Sequence, residues 1–131
     1  MPAPPAEQQF SYAVLRVVPR VDREEFVNVG VLLYCRPLRF LGVRTELDEA
    51  LLAAFAPRCD LTAVRESLAD HAAVAAGDRG AGPLAAMDQT QRFGWLVAPA
   101  STMVQPSPVH TGLTADPAAT LERLFERLVR R

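Results

Sequence analysis

The chain has 131 residues, 50% of them hydrophobic and 22% charged, which suits one folded domain. A formal net charge of −1 argues against a protein that holds nucleic acid through bulk positive charge. All 14 basic side chains are arginine, so Schiff-base chemistry on a lysine, a P-loop lysine and a lysine general base are excluded.

Residues 1–8 read as a loose Pro/Ala-rich tail without the basic stretch or apolar run of a signal peptide, ahead of one domain over 9–131. Gln9 to Val18 reads as a strand, with Tyr12, Val14 and Val18 on one side and Ala13, Leu15 and Val17 on the other. Apolar residues on both sides predict a strand inside a covered sheet. Pro19 ends it, and Arg20 to Glu25 form a charged connection. Phe26 to Cys35 is the second strand, with Val27, Val29, Val31, Leu33 and Cys35 forming one continuous apolar face. Leu38 to Arg44 follows the turn at Arg36-Pro37 and completes an antiparallel hairpin.

The pattern then becomes helical. Thr45 is the expected N-cap of a helix whose apolar face is Leu47, Leu51, Leu52 and Phe55, with Pro57 just beyond its end. Asp60 caps a second helix, in which Leu61, Val64, Leu68, Ala72 and Ala75 recur at helical spacing before Gly77 stops it. Residues 78–91 read as a loop with one helical turn near Leu84 to Met87. Phe93 to Val97 reads as a short strand and Thr102 to Gln105 as another. Two prolines in Pro106 to Leu113 predict irregular structure. Asp116-Pro117 opens a last helix striped by Leu121, Leu124, Phe125, Leu128 and Val129. The sum is an α+β domain, a small antiparallel sheet of three to five strands with about three helices packed on it.

No apolar run approaches the roughly 18 residues needed to span a bilayer. A cytoplasmic protein is expected, with Cys35 and Cys59 as reduced thiols. The two histidines and two cysteines have no metal-ligand spacing, and no phosphate-cradling glycine loop follows a strand, so neither metal nor cofactor is expected.

Three features stand out. Arg16 lies in a strand otherwise apolar on both sides; it either snorkels and pairs with Glu24 or Glu25, or lines a pocket and holds an anion. In Glu25-Phe26-Val27-Asn28-Val29-Gly30, a glycine inside a strand marks a bulge or the close approach of a ligand or another backbone. Asn28 and Gly30 are expected on one face, with Glu25 and Asn28 as candidates for a polar pocket beside Arg16. The Pro-stiffened segment Gln105 to Thr111 carries Gln105, Ser107, His110 and Thr111 as candidate binding groups, histidine being the side-chain type that ionises near neutrality. Arg92 is placed to face that segment. Ser107 and His110 lack a nucleophile elbow, His71 reads as a structural histidine, and Arg123, Arg127, Arg130 and Arg131 suit the C-terminal dipole of the last helix.

Tyr12-Ala13-Val14-Leu15-Arg16-Val17-Val18-Pro19, Glu24-Glu25-Phe26-Val27-Asn28-Val29-Gly30-Val31 and Gln105-Pro106-Ser107-Pro108-Val109-His110-Thr111-Gly112 together resemble the bacterial family catalogued as domain of unknown function 3037. The resemblance runs from Phe10 to Leu128 and implies no assigned activity. It does imply a partner. Members of the family are often encoded beside a HipA-like serine/threonine kinase, and such kinases occur with small separate chains that complete or restrain them.

The leading expectation is therefore a cytoplasmic accessory protein that binds and modulates a HipA-like kinase, with Phe26, Tyr34 and Trp95 as aromatic anchors. The alternative is a small enzyme acting on a phosphoester or nucleotide. It would use Glu25 or His110 as acid–base and Arg16 and Arg92 as an anion clamp, and it requires Arg16, Glu25, Asn28 and His110 to share one pocket. A second alternative is a defence or toxin–antitoxin component.

Overall fold

A computed structural model describes residues 5–99 and 102–130. The elements are β1 (Gln8–Val17), β2 (Val27–Cys35), β3 (Phe40–Thr45), α1 (Glu49–Phe55), α2 (Leu61–Ala76), α3 (Gln89–Leu96), β4 (Val104–Pro106), β5 (His110–Thr114) and α4 (Pro117–Leu128). The expected loose tail at 1–8 falls partly outside the described residues, and Gln8 already belongs to β1.

The five strands form one antiparallel sheet in the order β3-β2-β1, with β4 and β5 both pairing the far side of β1. β1 is thus the central strand, as its two apolar sides required. On one face Leu15, Val17, Val29 and Leu32 pack with Leu52, Val64, Leu68 and Leu96 of α1, α2 and α3. On the other Phe10, Val31, Leu33 and Cys35 pack with Leu121, Leu124 and Phe125 of α4. Cys35 is buried, Cys59 half-buried, and both thiols are free. No helix among the described residues is long and apolar enough to cross a membrane.

Five sequence expectations are corrected. The single apolar face of β2 does not exist. Leu15 pairs with Gly30 and Arg16 with Asn28, so Val29 is an extra residue, a β-bulge. Val27 and Val29 therefore face α2, while Val31, Leu33 and Cys35 face α4. Asn28 and Gly30 part for the same reason. Gly30 marks the close approach of a backbone: a Cβ there would lie 2.9 Å from Thr45 Cγ2 and 3.1 Å from the Arg44 carbonyl.

Thr45 is the last residue of β3 and not a cap; Asp48 caps α1, its carboxylate accepting from Leu51 N at 2.9 Å. Phe93 to Val97 is not a strand, because α3 runs through it. Asp88 and Gln91 form a capping box there, with Asp88 Oδ1 accepting from Gln91 N at 2.8 Å. Finally, the Pro-rich segment is largely ordered into β4 and β5. Proline is tolerated in an edge strand because its missing donor would have faced away from the ladder. The caps at Asp60 and Asp116 and the left-handed stop at Gly77 are as read from the sequence.

Candidate functional site

α4 packs chiefly over β2 and β3 on one face of the sheet. Arg16 of β1 lies between Asn28 of β2 and Gln105 of β4, which are its direct cross-strand partners. These three candidates form one polar row across the sheet, immediately beside the bulge. Bulges recur next to functional sites because they re-aim side chains.

The Arg16 guanidinium sits 4.0 Å from the centroid of the Phe26 ring, a cation–π contact, and Phe26 is 44% exposed. The expected pairing of Arg16 with Glu24 or Glu25 is absent among the described ion pairs. Asn28 Nδ2 donates to the Leu128 carbonyl at 3.1 Å, tying the row to the end of α4. Gln105 Nε2 donates to the Thr102 carbonyl at 2.8 Å, which leaves its amide oxygen facing away from that bond. Arg16 Nε and Asn28 Oδ1 are shielded from solvent and have no hydrogen-bond partner among the described residues. A buried donor and a buried acceptor left unmade cost about 1–3 kcal/mol each. The pair therefore marks where a group that both accepts and donates would be stabilising.

The remaining candidates go elsewhere. His110 lies on the same face, opposite Tyr12, with ring centroids 5.3 Å apart. Glu25 is bound to Arg23 in the connection before β2. The rung holding His110 and the rung at Val17–Val27 are five residues apart along β1, about 16 Å at the rise of a strand. Arg16, Glu25, Asn28 and His110 thus do not share a pocket, and the geometry supplies no acid–base pair. Arg92 does not face the Gln105 to Thr111 segment. Its guanidinium donates to the Val74 and Ala75 carbonyls at 2.9 and 2.7 Å and to Met87 O at 2.9 Å, closing the end of α2. Thr111 pairs with Ser11 and so lies one residue out of phase with His110. Ser107 is buried and bonded to the backbone of β1.

Of the expected aromatic anchors, Phe26 and Trp95 are about half exposed, at 44% and 49%. Tyr34 is half-buried, its hydroxyl bonded to Thr90 and its ring 5.1 Å from that of Phe93. The arginines of α4 and just beyond its end are compensated in part: Arg130 is held by Glu46 and Glu126, and Arg123 donates to Thr120 Oγ1 at 3.0 Å. Arg131 lies outside the described residues.

One region drew no attention in the sequence. The connection after β1 and the corner between α1 and α2 line a half-open cavity of about 500 Å³. Arg20, Arg23, Arg58 and Glu25 stand round it, with Phe55, Cys59 and Met103 among its walls. Its only local signal is the arginine spacing in that connection, since its two halves lie some 35 residues apart in sequence. The Arg20 guanidinium holds the Asp22 carboxyl below its ordinary value, and burial pushes the Cys59 thiol up.

These features define an α+β domain with a polar row, tied to the end of α4, on a bulged antiparallel sheet. The chain belongs to the family described as "Protein of unknown function (DUF3037)", whose model matches residues 12–129. No curated protein and no solved structure matches it.

Proposed function

We propose that this protein is a binding module, an accessory chain that docks an extended segment of a partner protein against Arg16, Asn28 and Gln105 beside Phe26. The partner we assign is a HipA-like serine/threonine kinase, whose activity the bound chain modulates. The observation that carries the docking site is that two direct cross-strand neighbours each hold an unpartnered polar atom, Arg16 Nε and Asn28 Oδ1. A peptide group presents a carbonyl to the first and an N–H to the second, and so satisfies both at once. Arginine held on a half-exposed aromatic ring is also the side-chain chemistry of interface hot spots. The assignment of the kinase rests on the family resemblance.

The test is size-exclusion chromatography with light scattering on this chain, alone and mixed at micromolar concentration with the HipA-like kinase encoded beside it. A joint peak of summed mass is the expected result, and Arg16→Met should weaken it by about 30-fold, the effect of losing a hot spot of about 2 kcal/mol. Two independent peaks overturn the kinase assignment. A joint peak that survives Arg16→Met and Phe26→Ser unchanged overturns the docking site.

A further inference from the structure

A second site, independent of the polar row, lies at the cavity between the β1–β2 connection and the α1–α2 corner. Its volume of about 500 Å³ falls within the range of small-molecule sites. Its apolar walls include Phe55, Cys59 and Met103. The Phe55 ring is 38% exposed, and the Cys59 thiol donates to Met103 Sδ at 3.3 Å, joining the α1–α2 corner to the segment before β4.

The mouth is cationic. Arg20 is paired with Asp22 and Arg23 with Glu25, each two residues along the chain and well exposed. Such exposed local pairs are worth little and exchange readily for a better acceptor. Arg58 has no ion pair among the described residues, so its guanidinium stands at the mouth without a bound carboxylate. Glu24, between Arg23 and Glu25 in the chain, has φ 55°. A non-glycine residue in this left-handed region is uncommon, and here it sets the turn that brings Arg23 and Glu25 to the same rim. Cys59 does not oppose an anion, because burial keeps its thiol protonated at neutral pH.

We propose that this cavity binds a small organic anion, with its acidic group at Arg58 and an aromatic or aliphatic body against Phe55 and Met103. Arg20 or Arg23 closes on the acidic group by leaving its local carboxylate. The charge complementarity of the mouth and the apolar walls commit the site to a ligand with both parts. Neither inorganic phosphate nor a neutral hydrocarbon uses the whole of it.

The experiment titrates the full chain with 8-anilinonaphthalene-1-sulfonate, an anion with an aromatic body, and with its uncharged analogue N-phenyl-1-naphthylamine. One saturable site per chain is expected for the anion, with at least tenfold weaker binding of the neutral analogue. Arg58→Glu should weaken the anion at least tenfold, and Phe55→Ser should weaken both probes. Bound anion should also slow iodoacetamide alkylation of Cys59, with buried Cys35 as the internal control. Equal affinity for the two probes, or an Arg58→Glu variant that binds like the parent, overturns the proposal. So does alkylation of Cys59 at the same rate with and without the anion, a readout that needs no substitution. Arg16→Met should leave all of these results unchanged, so failure here and failure of the docking site are distinguishable.

Discussion

Ser107 makes two hydrogen bonds to Val14: its N–H donates to the Val14 carbonyl at 2.7 Å, and its hydroxyl, which donates to the Pro108 carbonyl at 2.9 Å, accepts the Val14 N–H at 2.8 Å. The side chain thereby stands in for the backbone carbonyl that an uninterrupted strand would offer between β4 and β5. Ser107 is flanked by Pro106 and Pro108, and it carries the pairing of β1 across the break in the edge. Removing the hydroxyl leaves a buried N–H without an acceptor. Ser107→Ala should lower stability by about 1–3 kcal/mol, read as a fall in the urea midpoint at constant slope. Unchanged stability would mean that the hydroxyl is dispensable to the sheet.

Gly30 sets a second test. A methyl group at this position meets Thr45 Cγ2 at 2.9 Å and the Arg44 carbonyl at 3.1 Å, and the carbonyl cannot turn away without breaking the β2–β3 ladder. Gly30→Ala is expected to cost about 1–3 kcal/mol, as for overpacked cores. Thr45→Ser removes the Cγ2 methyl, so the double variant should recover part of the loss. A double-mutant cycle measures that coupling, and strict additivity would show that the two sites do not touch.

Arg92 closes the end of α2 with two bonds to its carbonyls, those of Val74 and Ala75, and a third ties it to the Met87 carbonyl. A charged donor on backbone carbonyls is among the stronger hydrogen bonds, at about 1.5–3 kcal/mol before allowance for partial exposure. Arg92→Met should lower the thermal midpoint while leaving partner binding and probe binding unchanged. Lost binding in a stably folded variant would place Arg92 in a site after all.

The pH dependence has a definite sign at Cys59. Burial raises its thiol above the ordinary value, so the folded chain holds that proton more tightly than the unfolded chain does. The contribution is fully present below the unfolded value of about 8.5 and is lost as pH rises through the folded value. Denaturation midpoints should therefore fall from pH 8 upward in the parent, and fall less in Cys59→Ala. Parallel curves for the two proteins would rule out this thiol as the source.

Much of the fold was legible because its signals are local. Asp60 with Gly77, and Asp116 with Pro117, mark helix ends through hydrogen bonds within a few residues. The β2–β3 hairpin follows from two apolar runs and a short turn. Arg16 and Asn28 stood out because charge and amide are costly inside an apolar strand, and they prove to be direct neighbours. The bulge was not legible. Val27 to Cys35 alternates without interruption, and only the pairing with β1 reveals the extra residue. α3 was missed because eight residues containing Gly94 hold too few turns to show a period, and its capping box lies in what read as loop. β5 was missed because whether a proline-bordered segment can join a sheet depends on which side its donors face. The cavity was illegible for a related reason, since Arg23 and Arg58 meet only after the sheet and the α1–α2 corner are built.

The extra residue at Val29 has a consequence for motion. Beyond it the β1–β2 ladder has only two rungs left, Arg16 with Asn28 and Val17 with Val27. Short ladder ends past an irregularity are the low-stability end of a sheet, where local opening is cheapest. The amides of Asn28 and its neighbours should then exchange with deuterium faster than those of Val31 to Leu33 on the same strand. A ligand seated on Arg16 and Asn28 would act as a clasp on this fraying end, and its arrival would register as slowed exchange there even if no atom elsewhere moved.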